Sequence, residues 1–253
     1  MAHQSKTCLI ILCTFFVVIS WGAGPYIALC SDSHPAMEYV YPDQSIWTTQ
    51  RDAEGVLKNP LLHVAEEIFS DLQIPWTAKP YPANRMFDRL QEGKSSFSIL
   101  VRAARLKDSC HFSKKTVTYS ELRVYKRPGS SPIKNVDDFK GKHVITIRGY
   151  SYGKIGKYLK DKENNIVTYE APLHESAFTM LDHARADYLL DYSGPSEEVM
   201  KAQPIQGVSY DVLTRLDVYL VLSKNYPNAL DIMDKLEEVI QNIDVTRWNL
   251  SQP

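Results

Sequence analysis

The chain has 253 residues, with 29 lysines and arginines against 30 aspartates and glutamates, and a formal net charge of −1. Nucleic acids are bound through clustered positive charge, so a near-neutral chain without a basic block argues against a nucleic-acid partner. Two of the four cysteines, Cys8 and Cys13, lie near the N-terminus, and the remaining two, Cys30 and Cys110, do not supply a disulfide framework.

Residues 1–30 have the layout of a secretory signal peptide. Lys6 precedes an uncharged apolar run from Cys8 to Ser20, and small residues follow it. The run is shorter than the roughly 20 residues of a membrane-spanning helix. We therefore expect residues 1–30 to be removed on export and the mature chain to act in the periplasm. Lipid anchoring at Cys30 is the alternative, although Leu29 stands where a small residue normally precedes a lipid-modified cysteine.

The mature sequence alternates between predicted strands and predicted helices. The first part predicts a strand at 37–41, helices at 60–72 and 83–91, and a strand at 97–101. The rest predicts strands at 122–125, 143–147, 166–169, 186–190 and 217–222, and helices at 152–159, 175–184 and 229–243. Pro60 suits the first turn of its helix, and Gly93 follows the end of the next. This alternation predicts an α/β fold with mainly parallel sheets flanked by helices.

Four segments together resemble the family 3 extracellular solute-binding proteins, which have the type II periplasmic-binding-protein fold. They are Gly93–Val117 (GKSSFSILVRAARLKDSCHFSKKTV), Val136–Gly153 (VDDFKGKHVITIRGYSYG), Ala177–Tyr192 (AFTMLDHARADYLLDY) and Arg215–Ile240 (RLDVYLVLSKNYPNALDIMDKLEEVI). Their order and spacing agree with those of the family. The resemblance implies two lobes joined by two hinge crossings, with lobe 1 over residues 37–119 plus 216–253 and lobe 2 over 124–208.

The resemblance also implies a function. Members of the family capture a small polar solute, such as an amino acid or a related organic acid or amine, in a cleft between the lobes. We therefore expect a non-catalytic, monomeric binding protein without a cofactor, whose partner is an ABC transporter permease. A ligand sensor for a membrane receptor and a dehydratase-like enzyme on the same scaffold remain alternatives, because a fold does not determine a function.

Four charged residues are candidates for the ligand site by this resemblance. Arg102 and Arg105 follow a predicted strand, where family members that bind amino acids hold the ligand carboxylate with an arginine. Arg102 falls on the first arginine of the family pattern, but the usual carboxylate clamp falls on Leu106, so the ligand need not be an α-amino acid. Arg85 resembles an arginine of the first lobe, and Asp191 stands where an acid meets the ligand ammonium. A surface charge or a capping role is the alternative for each.

Aromatic and hydroxyl residues complete the predicted site. Tyr41 and Trp47 come at and after the end of the first strand, where side chains of such folds wall the pocket. Tyr150, Ser151 and Tyr152 lie between a strand and a helix, where backbone N–H groups lack partners within the helix and a serine hydroxyl adds a donor. Ordinary packing and a plain helix cap are the alternative interpretations.

A hydrolase interpretation competes at the same place. Residues 149–153 (GYSYG) match the G-x-S-x-G motif, in which a serine nucleophile is followed by an acid and then a histidine. No histidine follows Asp191, and only His174 and His183 follow Ser151. His174 also lacks a second histidine at zinc-binding spacing. We therefore expect neither a catalytic residue nor a metal site.

Overall fold

The structure is a computed structural model that describes residues 34–244. The predicted signal peptide over 1–30, the lipid-anchoring alternative at Cys30 and the last residues of predicted lobe 1 lie outside the described residues. Between residues 34 and 244, no helix is long and apolar enough to cross a membrane.

Three parallel strands form the centre of the first half of the fold. They are β1 (Met37–Pro42), β2 (Trp76–Tyr81) and β3 (Phe97–Val101), with β1 paired to both of the others. The accompanying elements are α1 (Ile46–Thr49), α2 (Pro60–Phe69), α3 (Ala83–Gln91), the short strand β4 (Cys110–Phe112) and α7 (Ala229–Asn242). Asn59 caps α2 by accepting a hydrogen bond from the Leu61 N–H, directly before Pro60 in the first turn.

Crossing strands connect this half to the second. They are β5 (Thr118–Lys126) and β9 (Ser209–Ser223), which pair antiparallel with a register shift between Leu122 and Arg123. The second half has the parallel strands β6 (His143–Ile147), β7 (Val167–Ala171) and β8 (Tyr188–Tyr192), and the helices α4 (Gly153–Lys160), α5 (His174–Asp182) and α6 (Ser193–Ala202).

The nine strands between residues 34 and 244 belong to one mixed sheet. The order is β2-β1-β3-β9-β5-β8-β6-β7, with β4 also paired to β9. Strands are parallel within each half and antiparallel only where β5, β9 or β4 takes part. The predicted fold class, a two-lobed α/β protein with mainly parallel sheets and two hinge crossings, is therefore confirmed.

Apolar side chains are buried in separate clusters in the two halves. One cluster packs Tyr39, Phe69 and Phe97 between β1, β3 and α2, with ring centroids of Phe69 and Phe97 4.5 Å apart. Another packs Phe178 of α5 against Tyr125 of β5, edge to face. Each half therefore has its own hydrophobic core. The predicted extents of the lobes, 37–119 plus 216–253 for lobe 1 and 124–208 for lobe 2, stay a prediction.

Some elements differ from the sequence prediction. The strands β2 and β4 and the helices α1 and α6 were not predicted, and β5 and β9 extend beyond the predicted strands at 122–125 and 217–222. Helix α6 begins Ser-Gly-Pro, which favours a turn in isolation, yet Pro195 lies in its first turn, where a missing N–H costs nothing. The first half of β9 is largely exposed, so its apolar signal is weak.

Candidate functional site

A cavity lies where the loops of both lobes meet the hinge strands. The empty space that it encloses, including space open to solvent, is about 870 Å³. Residues from both halves line it: Pro42, Ser45, Trp47, Thr48, Leu61, Ala83, Met86, Phe87, Ser98, Ile99, Leu100, Val101, Ala103, Ser120, Tyr150, Ser151, Tyr192, Pro195 and Val218.

The topology explains why these residues converge. Pro42, Val101 and Tyr192 are the last residues of β1, β3 and β8, and Tyr150 follows β6. In open α/β sheets, the carboxyl ends of the strands and the loops after them form the binding crevice. The cavity therefore lies where this topology places a ligand.

Aromatic rings form much of the wall. Trp47 contributes from the first lobe, and Tyr150 and Tyr192, with ring centroids 5.7 Å apart, contribute from the second. The Trp47 ring lies directly on Gly194, near the start of α6. A methyl group added at Gly194 would have its carbon 2.8 Å from Cζ2 of Trp47, closer than packed atoms tolerate. Gly194 is thus the residue that lets Trp47 reach across to the second lobe.

Replacing Gly194 by alanine should therefore push Trp47 away and loosen the contact between the lobes. Overpacking of this kind costs about 1–3 kcal/mol, and we expect it to appear as a larger radius of gyration in small-angle X-ray scattering. A second change, Trp47→Phe, removes the ring atoms that clash and should restore the compact shape of the Gly194→Ala protein. An unchanged radius for Gly194→Ala alone would contradict the assigned contact.

Several hydroxyl groups of the cavity wall have partners within the protein. Thr48 donates to the carbonyl oxygen of Pro42 at 2.6 Å, and Ser98 donates to that of Val40 at 2.7 Å. The Ser45 hydroxyl accepts from the backbone N–H of Trp47 at 3.1 Å. Most of the remaining wall is aliphatic or aromatic, so the surface offered to a ligand is mainly apolar.

A buried chain of three side chains ends at the cavity. The Asp191 carboxylate lies 2.7 Å from Nδ1 of His174, and Nε2 of His174 lies 3.2 Å from the Tyr150 hydroxyl. Asp191 and His174 are fully buried. Desolvation, with the nearby Asp191 charge, raises the pKa of Tyr150 well above its ordinary value, so this hydroxyl keeps its proton. Asp191 thus acts on the cavity through His174 and Tyr150.

Gln44 joins the two lobes beside the cavity. Its Nε2 donates to the carbonyl oxygens of Arg148 at 2.8 Å and Pro172 at 3.1 Å, both in the second lobe. Its Oε1 accepts from the backbone N–H of Ala83, at the start of α3 in the first lobe, at 3.0 Å. The lobes are therefore in direct contact here, through a buried amide that uses both of its ends.

The three predicted arginines are not among the residues that line the cavity. Arg102 lies over the Tyr219 ring, 4.3 Å from its centroid, and donates to the carbonyl oxygen of Ser113. Arg105 forms an ion pair with Asp88. Arg85 is exposed, with its guanidinium carbon 5.3 Å from the centroid of the Tyr81 ring. Their predicted role in binding stays a prediction.

The other predicted residues divide into two groups. Trp47, Tyr150 and Ser151 line the cavity. Tyr41 is buried in the core of the first lobe. Tyr152 is the N-cap residue of α4, with a φ of 49°. Its ring stacks on that of Tyr192, with centroids 5.5 Å apart, so it packs against a residue of the cavity wall without lining the cavity itself. Sequence reasoning missed Tyr192 and the entire aliphatic surface from α3 and β3, because apolar residues there are indistinguishable from ordinary core residues.

The histidine–aspartate pair bears on the hydrolase interpretation. His174 contacts the hydroxyl of Tyr150, and the structure gives no hydrogen bond between His174 and Ser151. The order along the chain, Ser151, His174 and Asp191, also differs from that of the G-x-S-x-G hydrolases. Within residues 34–244, no group of three histidine, cysteine or acidic side chains is placed to hold a metal ion.

Comparison with solved structures identifies the fold. The substrate-binding protein of an amino acid ABC transporter matches with a TM-score of 0.66 and 17% identity, over 85% of this chain and 95% of that one. An ancestral arginine-binding protein bound to arginine matches at 0.69 and 19%, over 85% and 97%. A histidine kinase sensor domain with similarity to periplasmic binding proteins matches at 0.70 and 13%, over 86% and 94%. The chain thus has the two-lobed fold of periplasmic binding proteins.

No protein-family model and no curated protein matches this sequence.

Proposed function

We propose that this protein is a solute-binding protein that captures a small molecule in the cavity between its lobes. One observation carries the proposal: residues of both lobes line the cavity, and Gln44 ties the lobes together beside it. A ligand that touches both walls stabilises the closed arrangement relative to an open one, because only the closed arrangement provides all its contacts.

The proposed partner is an ABC transporter permease, and the proposed location is the periplasm, reached through the predicted signal peptide. The similarity to a substrate-binding protein of an amino acid ABC transporter supports this assignment. A membrane sensor is the second candidate, and the similarity to a histidine kinase sensor domain favours it. In both cases the protein acts as a monomer without a cofactor, and lobe closure reports that the site is occupied.

We propose further that the site is non-catalytic. The structurally similar proteins named above are binding proteins or a sensor domain, not enzymes. The polar groups of the buried chain, Asp191, His174 and Tyr150, are bonded to one another. Such an arrangement holds a hydroxyl in one orientation, which suits recognition. The expected consequence is that a bound ligand is released chemically unchanged.

A thermal-shift screen against amino acids, organic acids, amines, alcohols and small sugars tests the proposal. A ligand that binds only the folded protein stabilises it by about 2.7 kcal/mol at a hundredfold excess over its Kd, and mass spectrometry should recover it intact. Trp47→Ala, which removes one wall of the cavity, should abolish the shift.

Tyr169→Ala provides the matched control, since Tyr169 lies on β7 and does not line the cavity. It should leave the shift unchanged. A shift that survives Trp47→Ala, or a ligand that is released chemically altered, would contradict the proposed role.

A further inference from the structure

We infer that the ligand of this cavity is an uncharged molecule with a mainly apolar body and a hydrogen-bond-donating hydroxyl or N–H group. The inference rests on the proposed binding function and narrows it to a ligand class. It departs from the charged amino acid, organic acid or amine that the family resemblance implies.

The first argument is the absence of charge on the wall. Among the described residues that line the cavity, none is an aspartate, glutamate, lysine, arginine or histidine. The arginines predicted to clamp a carboxylate have other partners, since Arg102 packs on Tyr219 and Arg105 pairs with Asp88. In the part of the cavity that is closed to solvent, a charged group would leave water without a partner of opposite charge, which is strongly disfavoured. A zwitterion or a carboxylate is therefore a poor fit.

The second argument concerns the direction of the hydrogen bonds. A hydroxyl group has one proton to donate and two lone pairs that accept. Thr48 and Ser98 donate that proton to the carbonyl oxygens of Pro42 and Val40. The oxygen atoms of these two hydroxyls can therefore only accept a further hydrogen bond from a ligand. A carboxylate accepts hydrogen bonds and donates none, so these groups do not serve it.

The same reasoning applies to the Tyr150 hydroxyl, which contacts the buried His174. In the tautomer with the proton on Nδ1, His174 donates to the Asp191 carboxylate and its Nε2 accepts from the Tyr150 O–H. The Tyr150 oxygen then keeps its lone pairs for a donor on the ligand. Asp191 does not line the cavity itself, and it also accepts from the backbone N–H of Tyr192 at 2.8 Å. The cavity thus combines a mainly apolar wall with three acceptor oxygens, those of Thr48, Ser98 and Tyr150.

Matched probes that share one apolar body test the inference by calorimetry. Benzyl alcohol, benzoate and benzylamine differ only in the polar group, and indole and L-tryptophan form a second pair. We expect each neutral probe to bind at least about tenfold more tightly than its charged counterparts, the factor that one unmet buried hydrogen bond corresponds to. Tyr150→Phe should weaken the binding of benzyl alcohol by about fivefold to tenfold. It should leave the affinity for toluene, which has no hydrogen-bond donor, unchanged.

Tyr169→Phe is the control, and it should change none of these affinities because Tyr169 lies outside the cavity. Tighter binding of benzoate, benzylamine or L-tryptophan than of the neutral probes would overturn the inference while leaving the proposed binding function intact. If Tyr150→Phe weakened the binding of toluene and of benzyl alcohol equally, that result would also overturn the inference. Binding of no probe and of no member of the wider solute screen would overturn both the inference and the proposed function.

Discussion

Replacing Gln44 by alanine should open the lobes. The side chain makes three hydrogen bonds, to Arg148 and Pro172 in the second lobe and from Ala83 in the first. The two bonds to Arg148 and Pro172 cross between the lobes, and at about 1 kcal/mol of net stabilisation each their loss should destabilise the closed arrangement by about 2 kcal/mol. That corresponds to an apparent ligand affinity about 30-fold weaker. Scattering of the unliganded protein should show a larger radius of gyration.

Gln50→Ala is the matched control for this experiment. Gln50 lies in the same stretch of chain, at the end of α1, but its side chain is exposed. Its replacement should alter neither the radius of gyration nor the ligand affinity. If Gln44→Ala behaved like Gln50→Ala in both measurements, the hydrogen bonds of Gln44 would have no part in holding the lobes together.

Arg123→Met should strongly destabilise the fold. Arg123 lies on β5 at the register shift of the hinge, with only 4% of its side chain exposed. Its guanidinium contacts Glu121 at 2.7 Å and Glu197 of α6 at 2.6 Å. Removing the cation leaves two partly buried carboxylates facing each other without compensation, and we expect a cost near the lower end of the roughly 3–5 kcal/mol found for fully buried pairs. Urea unfolding should show this as a lower midpoint.

Arg215→Met serves as the control, because Arg215 is an exposed arginine on the other hinge strand, β9, that packs on the Tyr119 ring. An exposed cation–π contact contributes about 0.5–1 kcal/mol, so the midpoint should change little. The variant Arg123→Met with Glu121→Gln and Glu197→Gln removes the stranded charges as well and should recover most of the lost stability. Equal effects of the two arginine replacements would refute the assigned role of Arg123 and its two carboxylate partners.

The defect of Arg123→Met should also depend on pH. Burial raises the pKa of Glu197, and the Arg123 charge opposes that shift. Without Arg123 the pKa should rise further. A carboxyl whose pKa is higher in the folded than in the unfolded protein binds more protons when folded, so its contribution to stability falls as pH rises through that range. The destabilisation measured in urea should therefore be larger at pH 8 than at pH 5.

Local signals were sufficient for much of the fold. The observed bounds of α3, β3 and β6 coincide with the predicted ranges 83–91, 97–101 and 143–147. Each of these elements carries its own apolar pattern, and Gly93 and Gly141, with positive φ, mark nearby boundaries. By contrast, β2 contains Pro80 and is largely exposed at the edge of the sheet, so it has no comparable signal.

Part of the site was predictable for a related reason. Trp47, Tyr150 and Ser151 follow the carboxyl ends of predicted strands, and an α/β topology alone directs such residues to the binding crevice. The resemblance also led to Arg102 and Arg105, but their side chains lie on Tyr219 and against Asp88. A long charged side chain takes the nearest suitable partner, and that partner lies on another element.

The amino-acid sequence alone therefore establishes the α/β class and most of the strands and helices, because periodicity, capping and strand ends are encoded among near neighbours, while the two-lobed arrangement came from the family resemblance. It does not establish the character of the cavity. The pairing of His174 with Asp191, 17 residues apart, and the reach of Gln44 to Arg148 and Pro172, more than a hundred residues on, depend on how distant elements pack. Those contacts arise only when the chain is folded, and they leave the cavity wall without a charged side chain among the residues described.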